Sequence, residues 1–133
     1  MSRKWFVVFA LVAVVGLEAS PRQDPISQRP ELNRVMREKL EHAQKILEAV
    51  VISDWVSLET HSRELQGLTN DSRWTVLKYP EYAKHSSAFV RAIEALHTAA
   101  AQRDLERTPN AYVAVTLQCV ECHRYLARAR IAK

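Results

Sequence analysis

Apolar residues recur at Leu32, Met36, Leu40, Ala43, Leu47 and Val50, in steps of three or four. Such spacing keeps one face of an α-helix and predicts a helix from Glu31 to Ile52. Ser53 or Asp54 can cap a second helix that carries Trp55, Leu58, Ser62 and Leu65 on one face and ends at Gly67. A connection holding Trp74 and Tyr79 leads to Pro80, which suits the first turn of a third helix. The face of that helix is Tyr82, His85 or Ser86, Phe89, Ile93, Leu96 and Ala100. A break at Arg107–Asn110, with Thr108 as cap and Pro109 at the first helical position, introduces a fourth helix. Its stripe is Tyr112, Val115, Cys119, Cys122, Leu126 and Ala129. Strand-like alternation is absent from the sequence. Four amphipathic helices, each with a stripe to bury, predict an all-α fold: an antiparallel four-helix bundle.

The N-terminal part follows another pattern. Arg3 and Lys4 precede an apolar run from Trp5 to Leu17, and Leu17-Glu18-Ala19 reads as a cleavage site. Residues 1–19 are therefore expected to be a secretory signal peptide, and the protein to be exported, with a periplasmic location. The run is short for a membrane span, which usually needs ~20 residues, so membrane association is expected only if the signal stays uncleaved. Residues 20–30, rich in proline and polar groups, read as an N-terminal leader, and 31–133 as the helical domain. Removing the signal takes away two cations and one anion, so the net charge of +4 becomes +3. That weak charge, with no basic stripe interleaved with aromatics, gives no ground for a nucleic-acid partner.

The chemistry concentrates in Cys119-Val120-Glu121-Cys122-His123, which contains both cysteines of the chain. C-x-x-C-H is the attachment signature of c-type haem: two thiols bond the haem and the histidine binds its iron. Chance produces such a run in a chain of this length and composition on the order of once in two thousand. Cys119, Cys122 and His123 stand at i, i+3 and i+4, on the inward stripe of the last helix. Two rival readings fit less well. Thioredoxin-like chemistry uses a helix N-terminus to lower a thiol pKa, and this pair is deep within its helix. Zinc would need a fourth ligand, and three ligands within five residues of one helix suit a tetrahedron poorly.

With these residues in view, the chain resembles the class II cytochromes c, the cytochrome c-prime superfamily. The resemblance rests on Leu96-x-x-Ala99-Ala100, Asp104-Leu105 and Cys119–His123, on Pro80-Glu81-Tyr82 with Phe89, and on Arg34-Val35-Met36. It spans about Glu31 to Arg128. It departs at Arg103, where the family commonly has glycine, and at Ala127, where the family often has arginine. The resemblance implies one haem c attached to the last helix through Cys119 and Cys122, with His123 as proximal iron ligand. It implies Met36 as distal iron ligand, and a one-electron carrier that works with a redox partner protein. Dimerisation through the first two helices is also implied at this level.

Three alternatives stay open. A five-coordinate haem that binds nitric oxide or carbon monoxide would leave Met36 as packing only. His85 could replace Met36 as sixth ligand. A haem-free secreted interaction module could be closed by a Cys119–Cys122 disulfide. No constellation of catalytic acid, base or nucleophile is present, so an enzyme is not expected. His42 and His61 are expected to face solvent, and His97 to sit one residue off the core stripe. Trp55, Trp74, Tyr82, Phe89, Tyr112 and Tyr125 are expected in the core and around the haem. The basic tail from Arg124 to Lys133 reads equally well as a docking surface and as a solvated helix end.

Overall fold

The computed structural model describes residues 30–74, 77 and 79–129. The expected signal peptide, nearly all of the leader and the last four residues of the basic tail lie outside the described residues. Four helices follow in order: α1 (Pro30–Ile52), α2 (Trp55–Gly67), α3 (Pro80–Ala101) and α4 (Arg107–Arg128). A short 3-10 turn, Leu68–Asn70, follows α2. The described residues contain no strand, and the four helices pack as an all-α four-helix bundle. No helix among the described residues is long and apolar enough to cross a membrane.

Local chemistry sets the helix ends. Ser53 takes a left-handed φ of 57°, and Asp54 N–H reaches back to the Ala49 carbonyl at 2.9 Å, closing α1. The Asp54 carboxylate then starts α2 by accepting from Ser57 N–H at 3.1 Å and from Ser57 Oγ at 2.6 Å. Hydrogen bonds from Ser57 hold that carboxyl below its ordinary pKa. Pro80 occupies the first turn of α3, where its missing N–H costs nothing. α3 ends as α1 does: Arg103 adopts φ 52°, its N–H bonds to the Ala100 carbonyl at 2.9 Å, and Asp104 N–H bonds to the Ala99 carbonyl at 3.1 Å.

The start of α4 differs from the sequence expectation. The cap is Asp104, whose Oδ1 accepts from Glu106 N–H at 3.0 Å and Arg107 N–H at 2.8 Å. Thr108 lies inside the helix, buried, and its Oγ1 has no hydrogen-bond partner among the described residues. The carboxylate three residues upstream of Arg107 reaches the first free amides, which Thr108 is too late in the chain to serve.

The inward faces of α2, α3 and α4 follow the periodicity. Leu58, Ser62 and Leu65 are buried on α2; Tyr82, Phe89, Ile93, Leu96 and Ala100 on α3; Val115 and Leu126 on α4. Ala129, expected on the α4 stripe, is exposed just past the helix end. On α1 the core track is displaced by one residue. Its buried residues are Leu32, Val35, Ile46 and Ala49, whereas Leu40 is 59% and Leu47 is 47% exposed. The true track runs 32, 35, 39, 42, 46, 49. Its two middle positions are Lys39 and His42, both half-buried, and these polar residues hide the track from an apolar count.

Neighbours in sequence pack closely, α1 on α2, α2 on α3 and α3 on α4, while α1 and α4 meet far more sparingly. Tyr112 on α4 spans that seam, its OH donating to the Ala43 carbonyl of α1 at 3.2 Å. α2 has 13 residues against 22 or 23 in the others. At 1.5 Å per residue it falls roughly 14 Å short of its partners. The connection after α2 fills that end: Trp74 and Leu77 are buried there, and Tyr82 OH donates to the Trp74 carbonyl at 2.6 Å.

Arg103 stands where a left-handed backbone favours glycine. Arg103→Gly is expected to stabilise the protein by ~0.5–1 kcal/mol, seen as a higher urea midpoint with an unchanged slope. An unchanged or lower midpoint would mean that the φ value carries no strain.

Candidate functional site

The last three turns of α4 carry the C-x-x-C-H run. Cys119 and Cys122 are half-buried free thiols. Helical spacing aims them at two different parts of the interior. Cys119 packs on the main core, which includes Val35, Leu65, Phe89 and Val115. Cys122 packs on a smaller cluster of Leu32, Leu77, Tyr82 and Leu126. Met36 touches both clusters, so it lies opposite the motif across the α1–α4 seam.

Between these elements is a cavity of about 540 Å³. Met36, Arg37, Lys39, Leu40 and Ala43 of α1 line one side; Cys119, Val120 and His123 of α4 line the other; Leu65 and Phe89 close it from α2 and α3. The volume lies within the ~300–1,000 Å³ typical of small-molecule and cofactor sites. A larger concavity of about 670 Å³ lies against Trp74, Tyr79 and the first turns of α3, and none of the motif residues borders it. The structure thus brings together Met36, Cys119 and His123, three of the four residues singled out by the sequence. Cys122 is one helical turn from Cys119, on the neighbouring cluster.

His123 sits at the rim and is more exposed than an inward stripe position implies. Partial burial, with a smaller effect from the Lys39 charge, lowers its pKa and favours the neutral imidazole that binds metals. Burial pushes the Cys122 thiol up, against a smaller opposing pull from Lys39. That direction is opposite to what thiol–disulfide chemistry requires. Tyr82 is pushed up to about 12, chiefly by burial.

Two cavity residues were missed in the sequence: Arg37 and Lys39. Lys39 Nζ lies over the Trp74 ring at 3.8 Å and the Phe89 ring at 3.9 Å, an ammonium held between two π faces. Burial lowers its pKa from 10.5 to about 8, opposed by the nearby Cys119 and Cys122. The sequence signal was available. Lys39 is three residues beyond Met36, and Val35, Lys39 and His42 continue the track begun by Leu32. Discounting charged residues as core positions concealed it.

The other expectations divide. His85 stacks on Tyr125 with ring centroids 5.2 Å apart and lines a different concavity, with Glu121, Arg124 and Arg128. It does not border the Met36–His123 cavity, so the sixth-ligand alternative gains no geometry. Of the six expected aromatics only Phe89 lines the cavity, with Trp74 packed behind it at 5.7 Å between centroids. His97 is half-buried, and its buried Nε2 has no hydrogen-bond partner among the described residues. His42 and His61 do not simply face solvent. Both are half-buried and turn toward each other, because the displaced core track swings His42 onto the α2 side of α1.

No protein-family model, curated protein or solved structure matches the chain. The resemblance to class II cytochromes c therefore rests on the quoted residues.

Lys39 supplies a test of the cavity. Folding lowers its pKa from 10.5 to about 8, so the unfolded chain binds more protons between those values. Its contribution is least favourable below about pH 8 and improves as pH rises toward 10.5. Lys39→Met is expected to stabilise the haem-free protein at pH 7 by ~1–3 kcal/mol. The gain over the parent should shrink at pH 9.5, measured by urea denaturation at both values. A variant that is less stable at pH 7 would mean that the ring contacts outweigh desolvation.

Proposed function

We propose that this protein is an exported c-type cytochrome that carries one electron, with a single haem c held in the α1–α4 cavity. The observation that carries the reading is the joint placement of Met36, from the first helix, with Cys119 and His123, from the last, around one apolar cavity. The residues present fit the group. Cys119 and Cys122 are unpaired thiols at the required spacing. His123 is a histidine biased toward its neutral form, and Met36 offers a thioether from the opposite wall. When bound, haem c would supply an iron centre that cycles between two oxidation states.

The chain's own residues would do the rest. Cys119 and Cys122 would anchor the group by thioether bonds, and His123 and Met36 would be the side chains that hold its iron. Leu40, Ala43, Leu65, Phe89 and Val120 give the cavity an apolar wall that limits water and so raises the reduction potential. Arg37 and Lys39 are the cations of the cavity, suited to the two propionates. Pairing there would offset the desolvation of the Lys39 ammonium, which among the described residues has only ring contacts to compensate it. A thioether from Met36 would favour electron transfer over gas binding at such a group.

The test is expression with a haem-maturation system, followed by spectra with and without reductant and carbon monoxide. The expected product carries covalent haem in a low-spin state that resists carbon monoxide. Met36→Ala should convert it to a high-spin form that binds carbon monoxide readily. A high-spin parent would sink methionine ligation and leave a gas-binding cytochrome. Absence of covalent haem would leave the haem-free interaction module. A Met36→Ala spectrum that stays low-spin would assign the sixth position to another side chain, with Lys39 the first to replace.

A further inference from the structure

On the α1–α2 face, away from the cavity, three ligating side chains converge. His42 projects from α1; His61 and Glu64 stand one turn apart on α2. His42 Nδ1 and His61 Nδ1 are 3.2 Å apart. Glu64 Oε2 is 3.2 Å from His42 Nδ1 and 3.3 Å from His61 Nδ1. The three ligand atoms form a nearly equilateral triangle.

Hydrogen bonding alone does not satisfy this arrangement. Each contact needs one donor and one acceptor, and three mutually touching atoms cannot alternate between the two roles. If both histidines donate to Glu64, two N–H groups oppose each other. If one histidine donates to the other, the acceptor's remaining contact is lone pair against carboxylate. A cation above the triangle satisfies all three at once. Its size can be read from the edges. A tetrahedral ion with bonds of ~2.0–2.1 Å separates its ligand atoms by about 3.3–3.4 Å. Octahedral Mg²⁺, with similar bonds, brings adjacent ligands to about 3.0 Å and prefers oxygen. The edges and the two-nitrogen, one-oxygen donor set both favour the tetrahedral ion.

We propose that His42, His61 and Glu64 bind one Zn²⁺ or a similar borderline divalent ion, clamping α1 to α2. The side chains are 22%, 26% and 51% exposed, so solvent reaches the site and water can take the fourth position. None of the three residues borders the Met36–His123 cavity, and the inference rests on no part of the haem reading.

The test is calorimetric titration of Zn²⁺ into tag-free protein whose Cys119 and Cys122 carry haem or are alkylated, so that the motif cannot contribute ligands. One ion per chain is expected, with a dissociation constant on the order of micromolar. Co²⁺ in its place should give the intense visible absorption of a four-coordinate ion. Zn²⁺ should raise the melting temperature. His61→Ala should weaken binding by ~30-fold or more and Glu64→Gln by ~10-fold, each reducing the thermal shift in proportion while leaving the helical circular dichroism intact. Failure of Zn²⁺ to bind at roughly 100 μM, or equal binding by parent and both variants, would overturn the site. Weak, six-coordinate Co²⁺ absorption would overturn the tetrahedral assignment.

Discussion

The length of α2 is the constraint on which the rest of the bundle depends. A 13-residue helix cannot cover neighbours of 22 and 23 residues, so one end of the bundle has a missing wall. Apolar surface left there would cost about 25 cal/mol per Å². The connection after α2 covers part of it by burying Trp74 and Leu77, and the carbonyl of Trp74 is fixed by Tyr82 OH. The cavity lies in the neighbouring α1–α4 seam, where those two helices meet sparingly. Because adjacent helices run in opposite directions, the start of α1 and the end of α4 share this end. Met36 and the C-x-x-C-H run therefore face each other as a consequence of topology.

Much of this was legible because caps and turns are written in local chemistry. α2 and α3 could be bounded from Asp54, Gly67 and Pro80, whose effects reach only a few residues. Their inward faces follow from uninterrupted apolar spacing. The start of α4 was less legible. Thr108 and Asp104 are both competent caps, and only the actual path of the chain after Arg103 decides which one meets the free amides. Arg103 itself marks a left-handed turn that composition does not reveal, since arginine is a poor indicator of positive φ.

On α1 the displaced track and the missed cavity residues have one cause. Periodicity assigns the core to apolar residues, and the middle of the true track is Lys39 and His42. Lysine can occupy such a position because its methylene stem is apolar and its ammonium can rest on aromatic faces. Here those faces are Trp74 and Phe89, which come from 35 and 50 residues further along the chain. The motif was visible at once because covalent attachment fixes its spacing within five residues. Its surroundings were not, because they depend on contacts between distant segments.

Two polar side chains in one apolar track call for an explanation in terms of what each touches. A track made wholly of leucine would pack better and lose nothing in helix propensity. Lys39 faces the α1–α4 cavity, where its charge lies among rings and thiols. His42, three residues later, faces α2 and meets His61 and Glu64 in a triangle that protons cannot satisfy. Each position is unfavourable in the bare chain, and each would be relieved by a ligand of the opposite character: an anionic group at Lys39, a cation at His42. Local rules fail in natural sequences most often at sites that do something else. The two places where α1 departs from its own periodicity are thus two places where a ligand would compensate polarity that the helices leave uncompensated.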